Sequence, residues 1–424
     1  MTPISRILCT TSLTAALTLG SAAQAEIEFW TMPYGDQIAW KDTIDGLLEG
    51  FTAETGIEVT HETVPWGNAF QTYLTIAQGG AAPDCADMYW LHSFSAIGGE
   101  NYGPLPITEY ADRLDLDSFY EGALTDVTYL DEIYGIPWRG DIRAILYRTD
   151  AAEEAGLSGP PTTWDETVAA AKAMHVADEN GNVDRWGYAF GTSNVVSWLM
   201  PLYWQAGGEF MSEDGTTATI DNQAMRDALT FMHDMVHVHR VVDIDSFEKG
   251  YEMLPLFVDG QIALIGSAEQ SWGKRLDAEY PDAEGTWAMA PSAAGPEDAD
   301  SFSGAGYFGV LRGTEQVEEC VSLLEYLSQN ESILALSQGS GNVATKPAVM
   351  QSEFWSDRPW KQVVAVALED AHTSQHAAPS WSAIATSEPG GIIFDLIYNT
   401  VVLQEDMDAE IATAQELMQG ELDR

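Results

Sequence analysis

The chain of 424 residues carries 18 basic and 66 acidic residues, a formal charge of −48, with hydrophobic residues at 45%. That excess excludes nucleic acid as a partner, since capture of a phosphate backbone relies on Lys and Arg, and it disfavours anionic membrane surfaces. The acids are dispersed and the apolar fraction is ordinary, so the chain reads as globular with a strongly solvated surface, not as disordered.

Residues 1–25 read as a secretory signal. Arg6 supplies the positive start, Ile7 to Leu19 is mostly apolar, and Ala23-Gln24-Ala25 is a small-x-small cleavage site. The apolar run is shorter than the roughly 18 residues a membrane span needs, and Cys9 lies too near Met1 to be a lipoprotein acceptor. Cleavage removes Arg6 and no acid, so 18 basic residues less one, against 66 acidic, leave −49 on a mature chain of 399 residues (424 less 25). A chain of that length exceeds a comfortable single core, which predicts two domains, and the secretory signal implies an oxidising compartment.

Glu26 to Thr31 reads as a strand, followed by a loop with Tyr34 and Asp36, the latter a ligand group or a helix N-cap. Lys41 to Phe51 reads as a helix with Ile44, Leu47, Leu48 and Phe51 apolar, ended by Gly56. Ile57 to His61 alternates as a second strand. Strand, helix and strand in that order imply a parallel sheet and an α/β fold. Trp66 stands in the loop Val64-Pro65-Trp66-Gly67-Asn68, and Cys85, shortly before Asp87, sits beside a buried strand. Tyr134 to Asp150 mixes aromatic, acidic and basic residues with glycine and proline before an apolar strand, as a crossover bearing binding groups would. Thr163-Trp164-Asp165-Glu166 is a capping box opening a helix from Val168 to Val176, and Asp221-Asn222 caps another. A third helix begins at Thr314, with Cys320 on its apolar face. Gly/Pro-rich breaks fall at 156–161, 290–296 and 339–347, with no internal repeat.

Cys85 and Cys320 remain after cleavage. An oxidising compartment permits a disulfide whose geometry sequence cannot establish, and both read more simply as small core residues. No Gly-x-Ser-x-Gly elbow, phosphate loop or Gly-x-Gly-x-x-Gly fingerprint follows a strand. Among 66 acids some carboxylate pair always lies at glycosidase spacing, so that spacing carries no information. His233 and His237 stand four apart on a helix but lack a His-Glu-x-x-His arrangement. The expectation is a protein that is not an enzyme and uses no cofactor or metal.

Pro137-Trp138-Arg139-Gly140-Asp141-Ile142-Arg143 through Asp150 resembles the Pro-Trp-x-x-Asp-x-Arg-x-Leu-x-Tyr-Arg-x-Asp crossing of the family-1 extracellular solute-binding proteins that serve ABC importers. Other segments resemble that family in order along the chain: Thr55 to Val59, Pro83 to Trp90, Trp204 to Gly208, Phe257 to Gly266, Gly304 to Tyr307, Gly341 to Thr345 and Trp381. The chain departs from the pattern at Tyr307, Ala344-Thr345 and Tyr89 to His92.

The resemblance implies a two-lobed periplasmic binding-protein fold, each lobe a mainly parallel sheet flanked by helices. The chain would cross between lobes near 137–141, 302–307 and 336–342, so that 26–138 plus 304–336 form one lobe and 139–303 plus 337–424 the other. It further implies a monomer that captures a glycoside or small oligosaccharide in the cleft and delivers it to a membrane permease, with a polyamine or polyol, or a secreted carbohydrate-active enzyme, as the alternatives. A sugar offers apolar faces and a hydroxyl rim, so its site needs aromatic platforms and a few charged groups. The candidates are Tyr34, Asp36, Trp66, Asp87, Trp90, Trp138, Arg139, Asp141, Trp272, Gly306, Tyr307 and Trp381. Asp87, Arg139 and Asp141 would supply charge-assisted hydrogen bonds, and Arg143 beside them would do so less directly.

Overall fold

A computed structural model describes residues 26–423, apart from 35–36, 66–68, 70–71, 74, 76–78, 80–81, 89–98, 192–194, 213, 250–252, 368–370, 374–379 and 387–388. Strand β1 (Glu26–Thr31) leads to helix α1 (Gln37–Thr55), which buries Trp40, Ile44, Leu48 and Phe51 along one stripe. Gly56, with φ +77°, lets the chain turn into β2 (Glu58–Thr63). β1 pairs in parallel with β2 and with β3 (Cys85–Met88), as the alternation of strand and helix predicts.

Two long strands then run through both halves of the molecule. β6 (Ile136–Arg148) follows a small hairpin, β4 (Thr128–Tyr129) and β5 (Glu132–Ile133), and its antiparallel partner late in the chain is β10 (Ser301–Val310). Toward Ile136 this pair joins β3 through β10. Toward Arg148 it joins β8 (Leu264–Glu269) and β9 (Trp287–Ala290), and β8 pairs in parallel with β7 (Ala189–Gly191). The outer strands of each half are therefore parallel and the crossings antiparallel.

Helices cover both faces. The Thr163 side chain accepts from Glu166 N at the start of α2 (Trp164–Met174), while the Glu166 carboxylate turns back to Thr162, one residue before the expected capping-box partner. Val176 falls outside that helix. Asn222 caps α4 (Gln223–His237), as its sequence predicts, and α4 packs on the wholly buried α3 (Val196–Gln205). One core gathers Phe29, Trp40, Phe51, Trp138, Phe308 and Leu324, and a second gathers Ile145, Trp198, Met232, Trp381 and Ile411.

Cys85 and Cys320 form a disulfide, with Cα atoms 5.9 Å apart, that joins β3 to α6 (Val317–Leu327). This corrects the simpler reading of two free core thiols: both are fully buried, but the helix packs so that its cysteine faces the strand's. Helix α7 (Asn330–Ser340) ends at Gly341, φ +81°, and a strap follows. Gly140 N donates to Val343 O at 2.9 Å, and the Thr345 hydroxyl to Pro137 O at 2.5 Å. The strap thus runs beside β6 past Asn342, and Lys346 lies over the Phe119 ring at 4.4 Å. Helices α8 (Pro347–Met350), α9 (Glu353–Ser356) and α10 (Pro359–Ala367) come next. Among the described residues no helix is long and apolar enough to cross a membrane.

Candidate ligand-binding site

The site is built where the crossings meet. Between β6 and β10 the register slips: Gly306 faces Arg139, but Tyr307 faces Pro137, leaving Trp138 as the extra residue of a bulge. A bulge re-aims the side chains beside it. Gly306 is required at this point, because a Cβ there would stand 2.4 Å from Arg139 Nε.

Around the bulge, Tyr34, Asp87, Trp138, Arg139 and Tyr307 are all buried. Trp138 Nε1 donates to Asp87 Oδ1 at 3.0 Å, and Arg139 Nε donates to the Tyr34 hydroxyl at 3.1 Å, with the guanidinium 5.0 Å from the Tyr34 ring centre. The Tyr73 hydroxyl donates to Asp87 O at 3.0 Å. Burial pushes the Asp87 carboxyl up to about 6 against the opposing pull of Arg139 and the hydrogen bonds it accepts. The same burial raises the Tyr34 and Tyr307 hydroxyls, and the Tyr307 hydroxyl has no hydrogen-bond partner among the described residues.

Further along β6, the guanidinium of Arg143 binds Asp141 at 2.9 Å and Glu269 at 3.2 Å, joining β6 to the end of β8. Gln270 then ties three segments. Its side-chain oxygen accepts from Ile142 N at 3.0 Å, and its Nε2 lies 3.3 Å from Gly140 O and 3.2 Å from Asn342 Oδ1. Trp272, in the first turn of α5 (Ser271–Glu279), is buried beside this knot.

Of the twelve candidates, the crossing brings together Tyr34, Asp87, Trp138, Arg139, Gly306 and Tyr307, with Asp141 and Trp272 nearby. Asp36, Trp66 and Trp90 lie outside the described residues. Two tryptophans differ from the expected open platforms. Trp138 has both faces covered, by Phe308 at 5.1 Å and Trp40 at 5.2 Å. Trp381 is 1% exposed and meets Phe210 edge-on at 5.4 Å within the second core. Glu269, Gln270 and Asn342 are not among the twelve candidates. Their sequence signals are positional: Glu269-Gln270 follows the Phe257 to Gly266 motif, and Asn342 lies within the Gly341 to Thr345 segment. His237 offers Nε2 to Val401 O at 2.7 Å, and no group of three or more metal-binding side chains occurs among the described residues.

Known proteins share this architecture. The GacH receptor of Streptomyces glaucescens, solved unliganded and with acarbose, superposes with a TM-score of 0.78 at 20% identity, over 94% of this chain and 99% of that one. The sugar-binding protein MalE of Xanthomonas citri superposes with a TM-score of 0.79 at 18% identity, over 94% and 98%. Among curated sequences, a lactose-binding protein of Rhizobium radiobacter is 22% identical over 325 residues, 74% of this chain and 73% of that protein. An osmoprotective compounds-binding protein of Synechocystis is 26% identical over 161 residues, 38% of this chain and 36% of that protein. Residues 35–333 match the family described as bacterial extracellular solute-binding protein, and with that match added to the crossing strands and the two cores, the chain belongs to this family.

Proposed function

We propose that this protein is the periplasmic sugar-binding component of an ABC importer, secreted through a cleaved signal peptide and acting as a monomer without catalysis. The observation that carries the reading is the convergence, on the bulged crossing, of the Tyr34–Asp87–Arg139 network with the Asp141–Arg143–Glu269 ion cluster. Fixed charges of both signs beside aromatic rings suit the vicinal hydroxyls and apolar faces of a saccharide. The names of the relatives above agree with a sugar.

Ligand would seat between the two networks, touching Tyr34, Arg139, Asp141, Glu269 and Trp272. Trp138 would support Asp87 from beneath. Asp36, Trp66 and Trp90 remain proposed contacts, and Trp381, packed in the second core, would act only by supporting the wall behind the ligand. The lobes are proposed as 26–138 plus 304–336 and 139–303 plus 337–424, with the strap at 341–346 riding on the first. Closure about the crossings would bury the sugar and present a shape the membrane permease recognises. Another small polar solute is the alternative ligand, in line with the name of the Synechocystis relative.

A thermal-shift panel of neutral and acidic saccharides, polyols and polyamines tests the reading, because a ligand at about 100 times its Kd stabilises the fold by about 2.7 kcal/mol. A saccharide hit that shrinks the radius of gyration in solution scattering supports it. Stabilisation by spermidine alone, or hydrolysis of a glycoside in the panel, overturns it.

A further inference from the structure

His233 and His237 belong to neither crossing network. They stand one turn apart on α4, with ring centres 4.8 Å apart and planes tilted by 40°. Side chains four apart on a helix meet as a matter of course, so that spacing alone makes no site. What sets this pair apart is the hydrogen bond each ring makes through one of its nitrogens.

His233 Nδ1 lies 3.0 Å from Asp234 Oδ1, and His237 Nε2 lies 2.7 Å from Val401 O. A carbonyl only accepts, and so does an ionised carboxylate, so each of these nitrogens carries the proton. In the neutral imidazole the lone pair then sits on the opposite nitrogen, Nε2 of His233 and Nδ1 of His237. Among the described residues no hydrogen bond reaches either of them. A ring whose N–H is held by a carboxylate or a backbone carbonyl, with its other nitrogen bare, has the arrangement of a metal-ligating histidine.

The carbonyl that holds His237 is supplied by an irregular helix end. Helix α11 (Ile392–Ile397) runs on as a π-helical turn, Tyr398–Val402. Val401 O is among the last carbonyls of that segment, which lack a donor of their own helix, and α4 packs on the turn so that His237 provides one.

We propose that His233 and His237 form a second site, for a divalent imidazole-seeking metal ion, and that it takes Cu(II) most tightly. Metal–imidazole bonds of about 2.0 Å put an ion about 3.2 Å from each ring centre, so centres 4.8 Å apart suit two nitrogens in adjacent coordination positions. The His233 side chain is 29% exposed, so an ion reaches it from solvent. No third metal-binding side chain joins the pair among the described residues, so water fills the open positions and the ion exchanges readily. With two imidazoles and no enforced geometry, the intrinsic affinity order of the divalent metals decides, and it peaks at Cu(II). The acidic surface gathers cations of every kind without choosing among them, whereas the two nitrogens choose.

Cu(II) titration of the mature protein, with glycine present to suppress binding by isolated carboxylates, tests the site. One Cu(II) binds per chain, its electron paramagnetic resonance spectrum shows coupling to two imidazole nitrogens, and the melting temperature rises, as with any ligand of the folded state. Asp234→Ala, which frees the His233 ring, weakens binding roughly ten- to hundredfold, the usual effect of losing an outer-shell partner. His233→Ala, which breaks no bond beyond that with Asp234, weakens it further, removes the rise in melting temperature and leaves saccharide affinity unchanged. No Cu(II) site at micromolar concentration, coupling to fewer than two imidazole nitrogens, unchanged coupling in His233→Ala, or displacement by millimolar Mg(II), which would place the ion on carboxylates, overturns the proposal. Each of these failures leaves the sugar reading intact.

Discussion

The indole N–H of Trp138 is hydrogen-bonded to the Asp87 carboxylate, 51 residues earlier in the chain, at 3.0 Å. The pair joins a crossing strand to the end of β3. Its carboxyl sits beside Arg139, so stability and protonation are linked through one buried group, and the proposed ligand capture with them.

Asp87 titrates at about 6 in the folded state against 3.8 ordinarily. Between those values the folded protein binds the proton more tightly than the unfolded chain, so this group favours folding at low pH and its contribution fades as pH rises through 6. Asp87→Asn removes that dependence. The stability difference, wild type minus variant, is expected to fall between pH 4 and pH 7, measured by denaturant unfolding at each pH. A pH-independent difference contradicts the linkage.

Trp138→Ala opens a hole between Trp40 and Phe308, and a loss of roughly 3–5 kcal/mol is expected, as for large-to-small changes in a core. Trp138→Phe keeps most of the packing but strips Asp87 of a donor, so it should cost less stability and still weaken ligand. Melting temperature and affinity on the same samples separate the two effects.

Gly306→Ala places a methyl where Arg139 Nε lies. The guanidinium must move, so ligand affinity is expected to drop while the fold survives with a modest loss. Restored affinity in Gly306→Ala combined with Arg139→Lys would indicate relief of the clash. An unaltered single variant would show that Arg139 is not held in place by this approach.

The Cys85–Cys320 bond spans 235 residues of sequence. Its removal by Cys85→Ala with Cys320→Ala should cost about 2–5 kcal/mol, the range for native disulfides. Thiol titration of the denatured, unreduced mature protein should find no free thiol.

Much of the first half of each lobe was legible because its signals are local: apolar spacing in α1, the Gly56 turn, the Asn222 cap and the Thr163 cap. The crossing at Pro137 to Asp141 was legible for a different reason, that few segments combine proline, tryptophan, arginine and aspartate before an apolar strand. The bulge at Trp138 was not, since it depends on the register against β10, where Gly306 faces Arg139 and Tyr307 faces Pro137, 167 (306 less 139) and 170 (307 less 137) residues apart in sequence. That slip is why Trp138 stacks inward between two rings. Trp381 differs similarly: a tryptophan next to a proline-serine loop reads as exposed, but its 1% exposure and its contact with Phe210 mark a core residue. Cys85 and Cys320 required the packing of α6 on β3, which no spacing in the chain encodes.

Titration calorimetry of the mature protein with the saccharides that raise its melting temperature tests capture of one sugar per chain without chemistry. One site per chain is expected, with a Kd on the order of 1 μM or below, about −8 kcal/mol, weakened in Arg139→Ala and Asp87→Asn, and with the saccharide recovered intact. Absence of heat with every saccharide, alongside saturable binding of spermidine or a metal ion, would contradict it.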